Sequence, residues 1–290
     1  MRVSLIQDSP VLFDLPATMD KIRSLAAEAA KDKPDLMLFP EAFIPAYPRG
    51  LTFGTVVGSR SEEGRETWLK YWQNCIEVPS ADTEALGRIA KGHGVYLVIG
   101  VVERGSTGTL YCTILYFDPT GKLLGKHRKL KPTAAERIIW GEGDGDDLDV
   151  FDTPIGKIGG LVCWENYMPL PRTKLYEQGI EIYCAPTADH RESWQHTMRH
   201  IALEGRCFVL GCNQYVKKGD YPELPGEDYS DFPQIMSKGG SVIVDPLGNL
   251  VAEPLFDERG ILTADLDMDL IAKGKMDFDV AGHYLRKDIK

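Results

Sequence analysis

Leu36-Met37-Leu38-Phe39 is a run of four apolar residues without polar alternation, and it ends in Pro40-Glu41. A half-buried strand alternates, whereas a strand covered on both faces does not. The run therefore predicts a fully buried strand in a sheet with a layer on each side. Val3 to Gln7, Tyr96 to Glu103, Leu110 to Phe117, Ile180 to Ala185 and Phe208 to Asn213 read as further strands. Between them Met19, Ile22, Leu25, Ala26 and Ala29 keep helical spacing, and Ser61 to Glu77 and Ser193 to Glu204 read as helices. Asp82 to His93 reads as a helix opening on an Asx-type cap. Strands alternating with helices over most of the length imply an α/β layered fold. No linker-like stretch divides the chain, so a single domain over 1–290 is expected.

Charge narrows the partners. The net charge of -10 disfavours nucleic-acid phosphates. No apolar run approaches a membrane span, and Met1 to Gln7 enters a strand without a signal-peptide pattern, so a cytoplasmic protein is expected. The six cysteines are scattered without paired CxxC spacing and are expected as thiols.

One of them has an unusual setting. Gly159 to Val162 reads as a short buried strand, Cys163 follows it, and Pro169 and Pro171 mark a helix start. Such a strand-to-helix turn lifts a side chain out of the sheet, and a helix N-terminus favours thiolate. A buried cysteine more often packs than reacts, so its partners decide. Glu41, at the mouth of a buried strand, is costly unless paired or used. The basic run Lys126 to Lys131 reads first as a solvated face in which one lysine could act. His196 and His200 lie four apart, but Thr197-Met198-Arg199 between them lacks the glutamate of a zinc-protease helix, so they read as helix packing. Gly141 to Gly145 resembles a phosphate loop only superficially, because its acids would repel phosphate. No serine-hydrolase elbow, Walker loop or dinucleotide fingerprint occurs. A Cys–His pair stays open on spacing alone.

Phe39-Pro40-Glu41-Ala42, His127-Arg128-Lys129-Leu130-Lys131-Pro132-Thr133 and Cys163-Trp164-Glu165-Asn166 each follow a predicted strand. Together they resemble the nitrilase superfamily, most closely its true nitrilase branch. Tyr47-Pro48-Arg49-Gly50, the stretch from Glu136 to Gly141, the stretch from Met198 to Arg206 and Gly239-Gly240-Ser241 extend the resemblance over nearly the whole chain. It implies an α/β fold of the four-layer α-β-β-α sandwich type, with a core over about 1–266 and a segment 267–290 contributing to contacts between copies. It implies a Glu41–Lys129–Cys163 triad, with Glu136 matching the family's second active-site glutamate and Lys131 carrying no chemistry. Glu41 would take the Cys163 proton, the thiolate would add to a nitrile carbon, and Lys129 with the Trp164 backbone N–H would steady the developing charge.

No metal and no organic cofactor is implied. The partners implied are a small-molecule nitrile substrate and a second copy in a homodimer or larger homo-oligomer, with no nucleic acid and no membrane. Many relatives run on past the equivalent of His283-Tyr284, which puts spiral assembly in doubt here. Tyr47, Trp140, Trp164 and Tyr167 stand near the triad motifs and suggest an apolar, aromatic-walled substrate pocket. An amidase or N-carbamoyl amide hydrolase on the same fold is the second reading, and a catalytically silent binding member the third.

Overall fold

The protein is described here by a computed structural model over residues 1–286 and 288. Leu36–Leu38 lies inside a six-stranded sheet. Its order is Gly260–Asp265, Arg2–Gln7, Leu36–Leu38, Tyr96–Arg104, Leu110–Phe117, Leu123–Arg128. The second sheet runs Tyr215–Lys217, Ile235–Val244, Phe208–Asn213, Ile182–Thr187, Gly156–Gly160, Phe151–Thr153, and Leu250–Phe256 also pairs with Ile235–Val244. Leu36–Leu38 in the first sheet and Ile182–Thr187 in the second are each parallel to both neighbours.

The pleat explains the layering. Leu36 and Leu38 point to one face and meet Val98, Ile114, Ile182 and Phe208 in a core shared by both sheets. Met37 and Phe39 point to the other face, against Met19, Ile22 and Ala26 of helix Leu15–Ala29 and Leu86 and Ile89 of helix Ala81–His93. On the second sheet Tyr183 and Val209 pack outward on Leu175 of helix Pro169–Glu177 and on Trp194 and Met198 of helix Glu192–Gly205. The layers therefore run helix, sheet, sheet, helix. Each large apolar side chain so buried contributes about 1.5–3 kcal/mol, so a polar residue in the run at 36–39 would lose that and cost its own desolvation as well.

Some local expectations change. Helix Ala81–His93 is capped by Ser80 rather than by an Asx residue: the Ser80 side chain accepts from the Thr83 N–H while the Thr83 hydroxyl accepts from the Ser80 N–H. Asp82 sits in the first turn instead, facing the positive end of the helix dipole. The strand expected at Ser241 to Val244 begins at Ile235, because Gly239 and Gly240 carry it through positive φ rather than ending it. The hairpin Thr55–Val56 with Ser59–Arg60 and the strand Tyr215–Lys217 are too short to show a period. Helix Asp269–Lys275 sends Ile271 into the core between the sheets, so packing continues past residue 266. Of the segment 267–290, residues 287, 289 and 290 lie outside the described residues. Among the described residues no helix is long and apolar enough to cross a membrane.

Candidate active site

Four chain segments converge at strand ends. Glu41 follows Leu36–Leu38, Lys129 follows Leu123–Arg128, Cys163 follows Gly156–Gly160, and Thr187 closes Ile182–Thr187. The carboxyl ends of strands are where layered α/β folds place their sites. Glu41 sits in a turn made by Ala42 at φ 46°, pinned by Gly100 N–H to Pro40 O at 3.2 Å and Phe43 N–H to Gly100 O at 2.8 Å. This close approach requires a glycine: a Cβ at Gly100 would lie 2.4 Å from Pro40 O.

Cys163 opens the short 3-10 turn Cys163–Tyr167 at φ 50°, a left-handed conformation costing a non-glycine residue about 1–3 kcal/mol. The Asn166 amide steadies it by donating to Leu161 O at 3.0 Å and to Cys163 O at 2.8 Å. The loop after Lys129 folds into the 3-10 turn Ala134–Ile138, which returns Glu136 to the lysine.

The Lys129 ammonium is the centre of the cluster. It is fully buried and donates to Glu41 Oε1 at 2.8 Å and Glu136 Oε2 at 2.7 Å. Glu41 Oε2 accepts from the Ala188 N–H at 2.9 Å. Glu136 also accepts from the Tyr47 hydroxyl at 2.7 Å and the Thr133 N–H at 2.6 Å. Burial alone would lower the Lys129 pKa, but Glu41, Cys163 and Glu136 outweigh it and hold the ammonium well above its ordinary value. Burial, opposed by Lys129, raises Glu41 above the ordinary carboxyl range and makes it a stronger base. Burial and then the Glu41 charge push the Cys163 thiol up, against the pull of Lys129 and Thr187. The expected thiolate bias of a helix N-terminus therefore does not hold: the resting group is a neutral thiol that needs a base. Lys131 is exposed and pairs with Glu142.

A cleft of about 260 Å³ opens over Cys163, with Tyr47, Arg49, Glu136, Trp164, Asp189 and His190 among its walls. Of the four aromatics expected around the substrate, the structure brings Tyr47 and Trp164 to this cleft. Trp140 lies behind it, with its ring edge-on to Tyr47 and its centroid 5.6 Å from Lys129 Nζ. Tyr167 lies outside on the surface, edge-on to Trp164. The cleft is also more polar than expected. Arg49 donates to Ala188 O, and among the described residues no carboxylate lies within 4 Å of its guanidinium. Burial, then Arg49, lowers the His190 pKa. The apolar surface lies next door, in a cleft of about 460 Å³ walled by Pro48, Leu51, Phe53, Ile138 and Ile139. The two clefts share Tyr47, Arg49 and Glu136.

The sequence reading did not single out Thr187 or Asp189, and it met Arg49 only inside the motif Tyr47-Pro48-Arg49-Gly50, without a role of its own. Thr187 donates its hydroxyl to Cys163 Sγ, and Asp189 accepts from Trp164 Nε1 at 2.9 Å. The available signal was position: Thr187 ends the strand parallel to the one that leads into Cys163. Among the described residues no group of three or more His, Cys, Asp or Glu side chains is placed to hold a metal. A proton acceptor and a buried cation clustered beneath a thiol that opens to a cleft suit addition of sulfur to a polarised carbon–nitrogen bond.

Comparison with known proteins points the same way. The family model for carbon-nitrogen hydrolase matches residues 2–276. The chain is 51% identical over 294 residues to the bifunctional nitrilase/nitrile hydratase NIT4B of Nicotiana tabacum, covering 100% of this chain and 84% of that one. It is 52% identical over 289 residues to an aliphatic nitrilase of Sinorhizobium fredii, covering 99% and 93%. The fold resembles the solved carbon-nitrogen hydrolase of Helicobacter pylori, with a TM-score of 0.78 at 19% identity over 100% of this chain and 96% of that one.

Proposed function

The chain belongs to the carbon-nitrogen hydrolase family, in its nitrilase branch, and from that membership we infer that it hydrolyses an organic nitrile to the carboxylic acid and ammonia. The observation that supports the chemistry best is the buried Lys129 ammonium held between Glu41 and Glu136 in the cluster that includes Cys163.

In this reading Glu41 takes the thiol proton and Cys163 sulfur adds to the nitrile carbon. Lys129 and the Trp164 backbone N–H receive the charge that develops on nitrogen, and a proton completes a thioimidate. One water adds to the thioimidate carbon, ammonia leaves, and a thioester remains. A second water releases the acid and restores the thiol, so one nitrile and two waters give one acid and one ammonia. Glu136 holds Lys129 in place and, with Tyr47, borders the entering substrate. Tyr47 and Trp164 line the substrate's path; Trp140 supports Lys129 and Tyr47 from behind. The residues needed come from one chain, and both sheets share one core, which supports a single catalytic domain. Homodimer or larger assembly through the outer faces, and a cytoplasmic setting, complete the reading.

The test is ammonia release from matched nitriles and amides, with acid and amide products measured separately because one relative is named for both outcomes. Nitrile turnover that is lost in Cys163→Ala, with a covalent adduct on Cys163 in quenched wild type, is expected. Amide turnover without nitrile turnover would make the protein an amidase of the same fold.

A further inference from the structure

Glu165 lies next to the machinery without belonging to it. It is buried, and its two oxygens reach the two strand ends that carry the reacting groups. Oε2 accepts from the Val162 N–H at 2.7 Å, one residue before Cys163. Oε1 accepts from the Leu130 N–H at 2.6 Å, one residue after Lys129. The buried His127 ring closes the arrangement, with Nε2 3.1 Å from both Glu165 oxygens and Nδ1 2.9 Å from Asp147 Oδ1. Asp147 in turn accepts from the Arg128 N–H at 2.9 Å.

We propose that Glu165, bridged by His127 and Asp147, is a positioning residue of the reaction, its carboxylate fixing the Cys163 turn against the strand end that carries Lys129. The inference rests on the nitrilase reading for its kinetic readout, while its geometry stands apart from it. Cys163 occupies a left-handed conformation that the turn must enforce, and Lys129 must meet both Glu41 and the substrate nitrogen. A single acceptor group sets the distance between these two segments. A glutamine there would turn its NH2 toward one of the backbone N–H donors and break one side of the clamp.

His127 reports on the clamp. Burial opposes its charge, but Glu165 and Asp147 win and push its pKa up to about 10. Tyr116 and Tyr183 stand near the same carboxylates, both phenols raised far above their ordinary range by burial, and the chain neighbours Lys126 and Arg128 are both paired with Glu103. Loss of the His127 proton would leave Glu165 and Asp147 facing each other across a neutral ring.

The experiment compares wild type, Glu165→Gln and Asp147→Asn, with thermal melts to confirm folding. Two rates are read: kcat for ammonia release from 3-phenylpropionitrile across pH, and alkylation of Cys163 by iodoacetamide. In folded Glu165→Gln both should fall by roughly tenfold or more, with KM nearly unchanged, as misplacement of reacting groups predicts. In Asp147→Asn the alkaline fall of kcat should move to lower pH. Wild-type kcat and alkylation rate in folded Glu165→Gln would overturn the proposal. If that variant does not fold, an unmoved alkaline limb in Asp147→Asn overturns it instead. If wild type hydrolyses no nitrile yet alkylation slows in Glu165→Gln, the nitrile reading fails and the clamp stands.

Discussion

Thr187 donates its hydroxyl proton to the Cys163 sulfur across 3.2 Å, while its own oxygen accepts from the Asp189 N–H at 3.0 Å. The second bond fixes the hydroxyl so that its proton points at sulfur. Burial raises the thiol, and this donor is one of the groups that lower it again. Thr187→Val keeps the shape and removes the donor. A hydrogen bond to a charged group is worth about 1.5–3 kcal/mol, so kcat should fall roughly ten- to hundredfold. Thr187→Ser should retain most of the rate. Stopped-flow ammonia release and the rate of Cys163 alkylation check this, and an unchanged alkylation rate in Thr187→Val would remove Thr187 from thiolate formation.

His127 makes stability depend on pH in a direction that follows from its shift. Its folded pKa is about 10 against an ordinary value of 6.5. A raised folded value means the contribution is complete below the unfolded value and is lost as pH rises through the folded one. His127→Gln should therefore melt below wild type at pH 6, by an amount on the order of a few kcal/mol, and the gap should narrow steadily toward pH 10. Calorimetry of both proteins across that range checks it; a constant gap would mean that His127 contributes packing rather than charge.

The parts of this molecule that were legible in the sequence are those governed by local period. Leu36 to Phe39 announces a strand covered on both sides, and Gly159 to Pro171 announces a turn bearing Cys163, because both depend on neighbours a few residues away. The direction of the Cys163 shift was not legible, since it depends on burial and on Glu41, 122 positions earlier in the chain. The clamp at Glu165 joins segments 35 and 38 residues apart, and no spacing rule connects them. Which aromatics line the cleft was legible only in part, for a related reason. Aromatics near a motif in sequence can pack behind it, as Trp140 does, or face solvent, as Tyr167 does, while the apolar wall comes from Leu51, Phe53, Ile138 and Ile139 on loops without a period.

Gly100 tests how tightly Glu41 is held. A methyl group there would meet Pro40 O at 2.4 Å and Glu41 Cα at 2.6 Å, both backbone atoms that cannot swing aside. Gly100→Ala should cost about 1–3 kcal/mol of stability, as overpacking does. Activity should fall further than that loss of folded protein explains, because the displaced backbone carries the base itself. Comparing kcat with the folded fraction from a urea melt separates the two effects. Activity that tracks the folded fraction would show that Glu41 tolerates the shift.

The two adjoining clefts make a prediction about substrate length. A nitrile with its cyano carbon at Cys163 can extend past Arg49 into the apolar compartment beside Leu51 and Ile138. Each methylene buried there is worth about 0.8 kcal/mol, or roughly a fourfold gain in kcat/KM. From propionitrile to hexanenitrile kcat/KM should therefore climb with each carbon, by up to that factor. Ile138→Asp places a charge on the wall of the apolar compartment, at an exposed position two residues along the turn from Glu136. It should flatten the climb while leaving propionitrile close to the wild-type rate. A series that is already flat in wild type, or an Ile138→Asp slope equal to it, would show that the tail leaves the site by another route.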